Sequence, residues 1–556
     1  MKSFFLMIIV LPSLVYGQDL KSVHSLPLSH PTRQVPLETI PFWTGITADT
    51  RDIAFGDING DGFLDLVVGN EVQENATHIY FNTGTGLETS PSIILPDSGS
   101  WPVAFGDVDN DGDLDLATGY TAFGGYHARL YLNQGGTIDT IADWIGSTGA
   151  TWLGWADVDG DGDLDLAAAD LFAPASVYYN NNGTLESSPS WQATDGHSWD
   201  MAGTWFDVDD DGDLDLAVGL ENRIYTNQAG TLETVASWQA DLPYYDYGYG
   251  FSAGDVDQDG LLDLGVGGQS AGSGVPNFLH FNSLSGMETT PSWISGDVAA
   301  TWRVAFADVD GDGYLDLATA NYGEQDVVYL NTGGTLETNP SWSSSPAENS
   351  IGIAWGDVDG DGVLNKTDTL TGDGVRKLFY LSHFPAHTLD SVSVDGATLP
   401  LSDYCFDLVA GWVSLKNIPA NGSQILLFFS YSIDLDLAVG SNPPVLYRST
   451  NVGIKEQKAL VFPDKISIKN NPNPFRDFTE ILFTLPQSEE ITIYIYDISG
   501  RMIKQIYSGI IRGGKRKFLW KGKDNKGKQV SSGVYFIKLQ SKNTNISKPI
   551  ILIKER

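Results

Sequence analysis

The stretch Phe105-Gly106-Asp107-Val108-Asp109-Asn110-Asp111-Gly112-Asp113-Leu114-Asp115-Leu116 places acidic side chains at alternate positions of a glycine-bearing turn and then enters an apolar run. The same pattern opens at Asp57, Asp107, Asp157, Asp207, Asp255, Asp308 and Asp357, returning every 48 to 53 residues. Between these acidic loops a second cassette repeats, Ile79-Tyr80-Phe81-Asn82 in the first unit and Val328-Tyr329-Leu330-Asn331 in the sixth, each followed by Leu-Glu-Thr. Each unit offers about four strand-like stretches parted by Gly, Asn and Asp turns, which is how a propeller blade reads in sequence. Seven units predict an all-β protein built on a seven-bladed β-propeller.

Composition agrees. The 556 residues include 61 Gly, 15 Trp and 23 Tyr but 5 Met, the usage of a turn-rich, aromatic-packed β protein. Against 32 basic side chains stand 71 acidic ones, a formal charge of −39, and such a surface repels polyphosphates, which excludes nucleic acid as the main partner. A single Cys rules out an intrachain disulfide. The charge is unevenly spread: residues 1–454 hold 12 basic and 62 acidic groups, residues 455–556 hold 20 and 9. Two differently built modules meet there.

These repeats resemble the FG-GAP, or VCBS-type, repeats of bacterial surface proteins, related in pattern to the propeller of integrin α subunits. The resemblance covers roughly residues 42–448, and the acidic loop, the preceding Phe-Gly or Trp-Gly and the following Leu-Asp-Leu carry it together. It implies a calcium-bearing seven-bladed propeller.

The loop spacing has its own chemical reason. Calcium takes about six to eight oxygens, and alternate residues of a tight loop turn their side chains to one centre, with Gly at the sixth position permitting the turn. The predicted ligands are Asp57, Asn59, Asp61 and Asp65, then Asp107, Asp109, Asp111 and Asp115, then Asp157, Asp159, Asp161 and Asp165. They continue as Asp207, Asp209, Asp211 and Asp215, as Asp255, Asp257, Asp259 and Asp263, and as Asp308, Asp310, Asp312 and Asp316. Carboxylates so close repel one another without a bound cation. Up to seven structural Ca2+ ions are expected, water completing each shell.

The seventh loop, Asp357, Asp359 and Asp361, lacks its continuation, which returns as Asp434-Leu435-Asp436-Leu437-Ala438-Val439-Gly440. A small β-domain at residues 363–433 therefore reads as an insertion inside this blade, at a loop tip where insertion is tolerated. Asp436 is the favoured fourth ligand; Asn365 and Asp368, at positions 9 and 12 of an EF-hand-like loop, form the rival set. The lone Cys405, flanked by Tyr404 and Phe406, reads as a buried thiol.

The first residues place Lys2 ahead of an apolar run too short to span a bilayer, ending at Gly17. They predict a signal peptide at 1–17 and a mature chain from Gln18 outside the cytoplasm, secreted or on the cell surface, without a transmembrane helix. Residues 18–41 form a lead segment, 42–450 the propeller and 451–465 a linker. Residues 466–556 carry Asn471-Pro472-Asn473-Pro474-Phe475, Asp497-Ile498-Ser499-Gly500-Arg501 and Ser532-Gly533-Val534-Tyr535-Phe536. They look like the type IX secretion (Por) C-terminal sorting domain and the FlgD-like immunoglobulin-type fold. The resemblance implies an export address and anchor that engages secretion machinery. Alternating strands make it a small β-sandwich, with Trp520 and Phe536 expected in the core.

A ring of residues stands five to eight positions before the first loop aspartate: Arg51, Trp101, Trp152, Trp199, Tyr249 and Trp302. Inner-strand entrances of a propeller crowd around one mouth, so these side chains read as a ligand platform for sugar faces or peptide side chains, or as wedges between blades. Trp144, Trp191, Trp238, Trp293 and Trp342 recur in the outer cassette as packing. His78, His127, His197 and His280 occupy no repeated position, and no catalytic residue is assigned. The expected function is surface binding or adhesion toward a glycan or a protein; the alternative is a polysaccharide-degrading, lyase-like enzyme on the same scaffold.

Overall fold

The computed structural model describes residues 35–553 apart from 72–76, 85, 97–98, 123–124, 197–199, 220, 243–246, 271–272, 451–466, 472, 477–478, 486–488, 512–513, 527 and 542–544. The predicted signal peptide and linker, together with His197 and Trp199, lie outside the described residues.

The first repeat folds into one antiparallel sheet of Thr50–Gly56, Asp65–Asn70, His78–Tyr80 and Ile93–Ile94. Among the described residues seven sheets follow this plan. Their innermost strands touch in chain order, and Gly352–Gly356 of the seventh touches Thr50–Gly56 of the first, so the ring is closed. Second strands such as Asp65–Asn70, Asp165–Ala169 and Asp436–Gly440 are buried along their whole length. They lie between neighbouring sheets, which is why Leu66-Val67-Val68 is continuously apolar rather than alternating.

The seventh sheet takes its outermost strand from the N-terminal side. Trp43–Thr44 pairs with Val445–Tyr447 in the register Trp43 to Leu446, and Glu38 N–H donates to the Arg448 carbonyl at 2.8 Å. The outer tryptophans stand edge-on to a ring of the next sheet: Trp43 to Tyr80 at 5.1 Å, Trp144 to Tyr178 at 4.9 Å, Trp191 to Tyr225 at 5.5 Å, Trp293 to Tyr329 at 5.5 Å and Trp342 to Tyr447 at 5.2 Å. Trp238 meets His280 in the same way at 5.3 Å, which explains a buried histidine where other sheets carry Tyr.

Gly352–Gly356 pairs directly with Asp436–Gly440, and the chain between leaves the ring. It forms one sheet of Val363–Thr371, Gln424–Ser432, Ala386–Val394 and Ala397–Thr398 and another of Leu378–Tyr380, Trp412–Leu415 and Tyr404–Asp407. Val392, Val413, Ile425, Leu427 and Phe429 build their shared core, and Cys405 is buried with its thiol pushed up by burial.

Farther along the chain, Ser467–Asn471, Thr479–Leu485 and Gly514–Trp520 form a three-stranded sheet. Met502–Ile511, Glu489–Asp497, Gly533–Ser541 and Asn545–Leu552 form a four-stranded one. Phe475, Ile493, Trp520, Tyr535, Ile537 and Leu539 pack in one core. The expectation for Phe536 is corrected: it is 36% exposed while Tyr535 is 6% exposed. The inward set runs 535, 537, 539, and with a side-chain period of two Phe536 must face outward.

Deleting residues 35–44 leaves the seventh sheet without its closing strand. The calorimetric unfolding midpoint should fall by at least about 5 °C, as expected for a loss of a few kcal/mol in a large domain, and an unchanged midpoint would contradict closure by this strand.

Candidate metal loops and propeller mouth

Each inner strand delivers its loop to one face of the ring. In the second loop Asp107 accepts from Asp111 N–H and Gly112 N–H, both at 3.0 Å, and Asp111 accepts from Asp113 N–H at 3.0 Å. Gly112 sits at φ 96°, a conformation glycine adopts without a steric penalty. Asp115 is wholly buried; one oxygen accepts Val108 N–H at 2.9 Å and the other accepts Asn133 N–H at 2.7 Å. The carboxylates of Asp107, Asp109 and Asp115 lie within 4.8 Å of one another. So do those of Asp157, Asp159 and Asp165, of Asp207, Asp209 and Asp215, of Asp255, Asp257 and Asp259, and of Asp308, Asp310 and Asp316. These all-oxygen clusters can hold metal ions, and the donor set suits a hard divalent cation.

The fourth aspartate repeats its geometry around the ring. Asp65, Asp165, Asp215, Asp263 and Asp316 accept from the loop residue after the first aspartate and from a cassette Asn. In the seventh loop Asp436 does the same, accepting Val358 N–H at 3.1 Å and Ser449 N–H at 2.8 Å. The rival pair goes elsewhere: Asn365 and Asp368 lie on the strand Val363–Thr371, and Asp368 accepts from Ser382 N–H and Oγ.

The cassette asparagine is the residue whose role the repeat alone did not show. Asn180 donates through Nδ2 to the Val108 carbonyl of the preceding loop at 2.9 Å and to Leu164 O at 3.1 Å. Asn82, Asn133, Asn227, Asn282 and Asn331 reach back in the same way to Val358, Ile58, Val158, Val208 and Val256. Its regular recurrence after Tyr-x was the available signal. Replacing Asn180 by Ala strands two buried carbonyls and should destabilise the protein by about 2 kcal/mol, measured by denaturant unfolding; a change near zero would mean that water takes over both bonds.

Burial, reinforced by neighbouring carboxylates, pushes the fourth aspartates up: Asp65, Asp115, Asp263 and Asp436 to about 7, Asp215 and Asp316 to about 8 and Asp165 to about 9. Unfolded carboxyls titrate near pH 4. Without metal the native state thus holds protons the unfolded state has lost, and stability falls as pH rises from about 4 through these raised values. In chelator the unfolding midpoint should be lower at about pH 8 than at about pH 5.5, and calcium should remove most of that difference. Equal midpoints in chelator would contradict the buried-carboxylate account.

The inserted sheets lie over this same face. Lys377 Nζ donates to Gly160 O, Arg376 donates to Asp210, and Ser414 Oγ donates to Asp157 at 2.7 Å. Asp207 N–H donates to Tyr380 Oη at 3.1 Å, and His387 Nε2 lies 3.1 Å from Gly62 O. A cleft of about 910 Å³ remains between the insert and the loops holding Asp255 and Asp308, walled by Phe379, Phe384 and Tyr431.

The opposite face holds the described members of the predicted set, Arg51, Trp101, Trp152, Tyr249 and Trp302. Arg51 pairs with Glu71 and, at 3.4 Å, with Asp49, and its guanidinium lies 5.1 Å from the Trp101 ring. Tyr249 stands edge-on to Trp302 at 5.0 Å. Trp152 instead fills the space beside Gly154 and Gly203, where an added Cβ would come within 2.5 and 2.7 Å of its ring, so it wedges between the third and fourth sheets. Asp52 and Arg303, which the repeat pattern did not single out, line the central channel behind the mouth, a cavity of about 290 Å³.

Three stretches match the model of the FG-GAP-like repeat, residues 57–118, 157–218 and 308–365. Residues 479–545 match that of the FlgD Ig-like domain. The chain carries an FG-GAP propeller with a C-terminal Ig-like domain. Among solved structures it is similar to PorZ of Porphyromonas gingivalis, described as an essential bacterial surface component of the type IX secretion system. The identity is 14%, over 91% of this chain and 66% of PorZ, with a TM-score of 0.29. It is similar also to Sqt1 of Saccharomyces cerevisiae, at 9% identity over 75% of this chain and 100% of Sqt1, with a TM-score of 0.35. An AofleA mutant from Arthrobotrys oligospora gives 10% identity over 54% of this chain and 88% of its own, with a TM-score of 0.36. No curated protein sequence matches the chain. Among the described residues no helix is long and apolar enough to cross a membrane.

Proposed function

We propose that this is an exported cell-surface binding protein in which a calcium-stiffened propeller holds a glycan and the C-terminal Ig-like domain serves as export address and anchor. The observation that carries the glycan reading is the mouth, where aromatic rings and nitrogen donors with no partner gather at one end of a closed ring. Such a mixture of flat apolar faces and fixed donors suits the alternating apolar and hydroxylated faces of a sugar. Calcium in the acid loops supplies rigidity: an ion present at 100 times its dissociation constant adds about 2.7 kcal/mol per site. A glycan array probed in calcium and again in chelator should give calcium-dependent binding to one glycan class; a folded, calcium-loaded protein that binds none would turn the reading toward a protein ligand.

For the C-terminal module, residues 466–556 fused to a secreted reporter should bring it to the surface of a bacterium with a type IX system. A reporter retained in the periplasm would overturn the address role. A second reading, eliminative cleavage of a polysaccharide, is favoured by one cluster beside the large cleft: Lys366 Nζ lies 2.9 Å from His383 Nδ1, and the His383 ring lies 4.1 Å from that of Tyr431, tilted by 43°. Unsaturated sugar products absorbing near 235 nm, lost in His383→Ala, would support it.

A further inference from the structure

Arg51, Trp101, Thr151, Met201, Trp302, Arg303 and Ile351 surround a small recess of about 10 Å³ at the mouth, about the room one oxygen atom needs. Its polar lining consists almost wholly of donors. Arg51, Trp101 and Trp302, which line it, each carry a buried side-chain nitrogen with no hydrogen-bond partner, Nε of Arg51 and Nε1 of the two tryptophans. Arg303 spends Nη1 on the carbonyls of Tyr249 and Trp302 at 2.9 and 3.1 Å. The Thr151 hydroxyl donates to Ala169 O and Asp200 O at 3.1 and 2.8 Å. No carboxylate is among the described lining residues, although residues 1–454 hold 62 acidic groups against 12 basic ones.

Buried donors are ordinarily matched by acceptors, and three unmatched ones on the side chains that line one recess call for an acceptor from outside the chain. We propose that the recess receives one carboxylate oxygen of an acidic saccharide, with the sugar ring resting near Tyr249 and the exposed Tyr322. Tyr322 lies 6.3 Å from Trp302 and Tyr249 lies 5.0 Å from it, so both rings border the donors. Asp49 and Glu71 already balance part of the Arg51 charge. The site therefore selects a single inserted carboxylate over a densely charged polyanion, which the surrounding acidic surface repels. This inference rests on the glycan-binding reading and adds the ligand's charge and its point of entry.

The test titrates the full chain, by calorimetry at constant calcium, with a panel of uronate trisaccharides, their methyl esters, the matching neutral trisaccharides and a peptide with a free C-terminal carboxylate. One uronate trisaccharide should bind, and its ester should bind at least about ten-fold more weakly, the expected effect of losing charge-assisted hydrogen bonds. Trp101→Phe with Trp302→Phe removes both indole donors and keeps the rings; it should weaken the uronate by about ten-fold and leave the ester unchanged. Trp302→Phe alone serves if the double variant fails to fold, and should show the same selective loss. Equal binding of acid, ester and neutral sugars would overturn the carboxylate site and leave the glycan reading standing. Binding of the peptide without any saccharide would overturn both, and binding of none of the probes would mean that the recess holds water alone.

Discussion

The fourth aspartate of each loop is the group on which the propeller depends. It is buried, yet both its oxygens are committed, one to its own loop and one to a cassette residue that in six of the seven sheets is an asparagine. That asparagine extends its side-chain amide to the loop of the sheet before. A metal loop, the strand that follows it and the seam to the neighbouring sheet are therefore one hydrogen-bonded unit, repeated around the ring. A buried carboxylate is costly unless it is paired and hydrogen-bonded, and the two N–H donors meet half of that requirement. A cation bound in the loop would supply the remainder, and stiffness along the blades and stiffness between them would then be coupled to the same occupancy.

The insertion fits this logic. The seventh repeat is where the ring must close between the two ends of the propeller segment, and its sheet is completed by Trp43–Thr44. Interrupting that loop leaves the strand pairing intact because Asp436 returns to the position a continuous chain would have reached. The inserted sheets then fall on the face their attachment dictates. Four of the 12 basic residues before residue 455 lie in the insert, and two of them, Arg376 and Lys377, contact loops of the third and fourth units. Cations over carboxylate loops are electrostatically favourable, and the loops of the fifth and sixth units, left uncovered, border the large cleft.

How much of this was legible follows from what is local. Loop spacing, the Asn-and-Trp cassette and the strand periods are short-range signals, and they gave away the repeat, its strands and the return of the seventh sheet at Asp436. The partner of Asn180 lies 72 residues earlier, and nothing near Asn180 announces Val108 O. The docking face of the insert is likewise set by contacts across more than a hundred residues, such as Ser414 on Asp157. Phe536 shows a finer limit: an apolar residue beside an apolar residue leaves the inward one undecided until strand pairing sets the register. At the mouth, sequence position brought Arg51, Trp101 and Trp302 together, each six residues before its loop aspartate, but Trp152 stands one residue nearer Asp157 and turned into an interblade gap left by two glycines, while Thr151 holds the shared offset and lines the recess.

The two faces of the ring thereby acquire opposite chemistry from one strand direction. Each inner strand begins at the mouth and ends at a carboxylate loop, so any residue placed before the strand faces away from the acids. Donors can accumulate at that end without being neutralised by the loops, and Arg51 is held by Asp49 and Glu71 rather than by a loop aspartate. Metal held at the acid face would leave the donors at the other face unengaged. A propeller of this charge can thus hold cations for its own stability and still present nitrogen donors to a ligand, because the length of a strand separates the two.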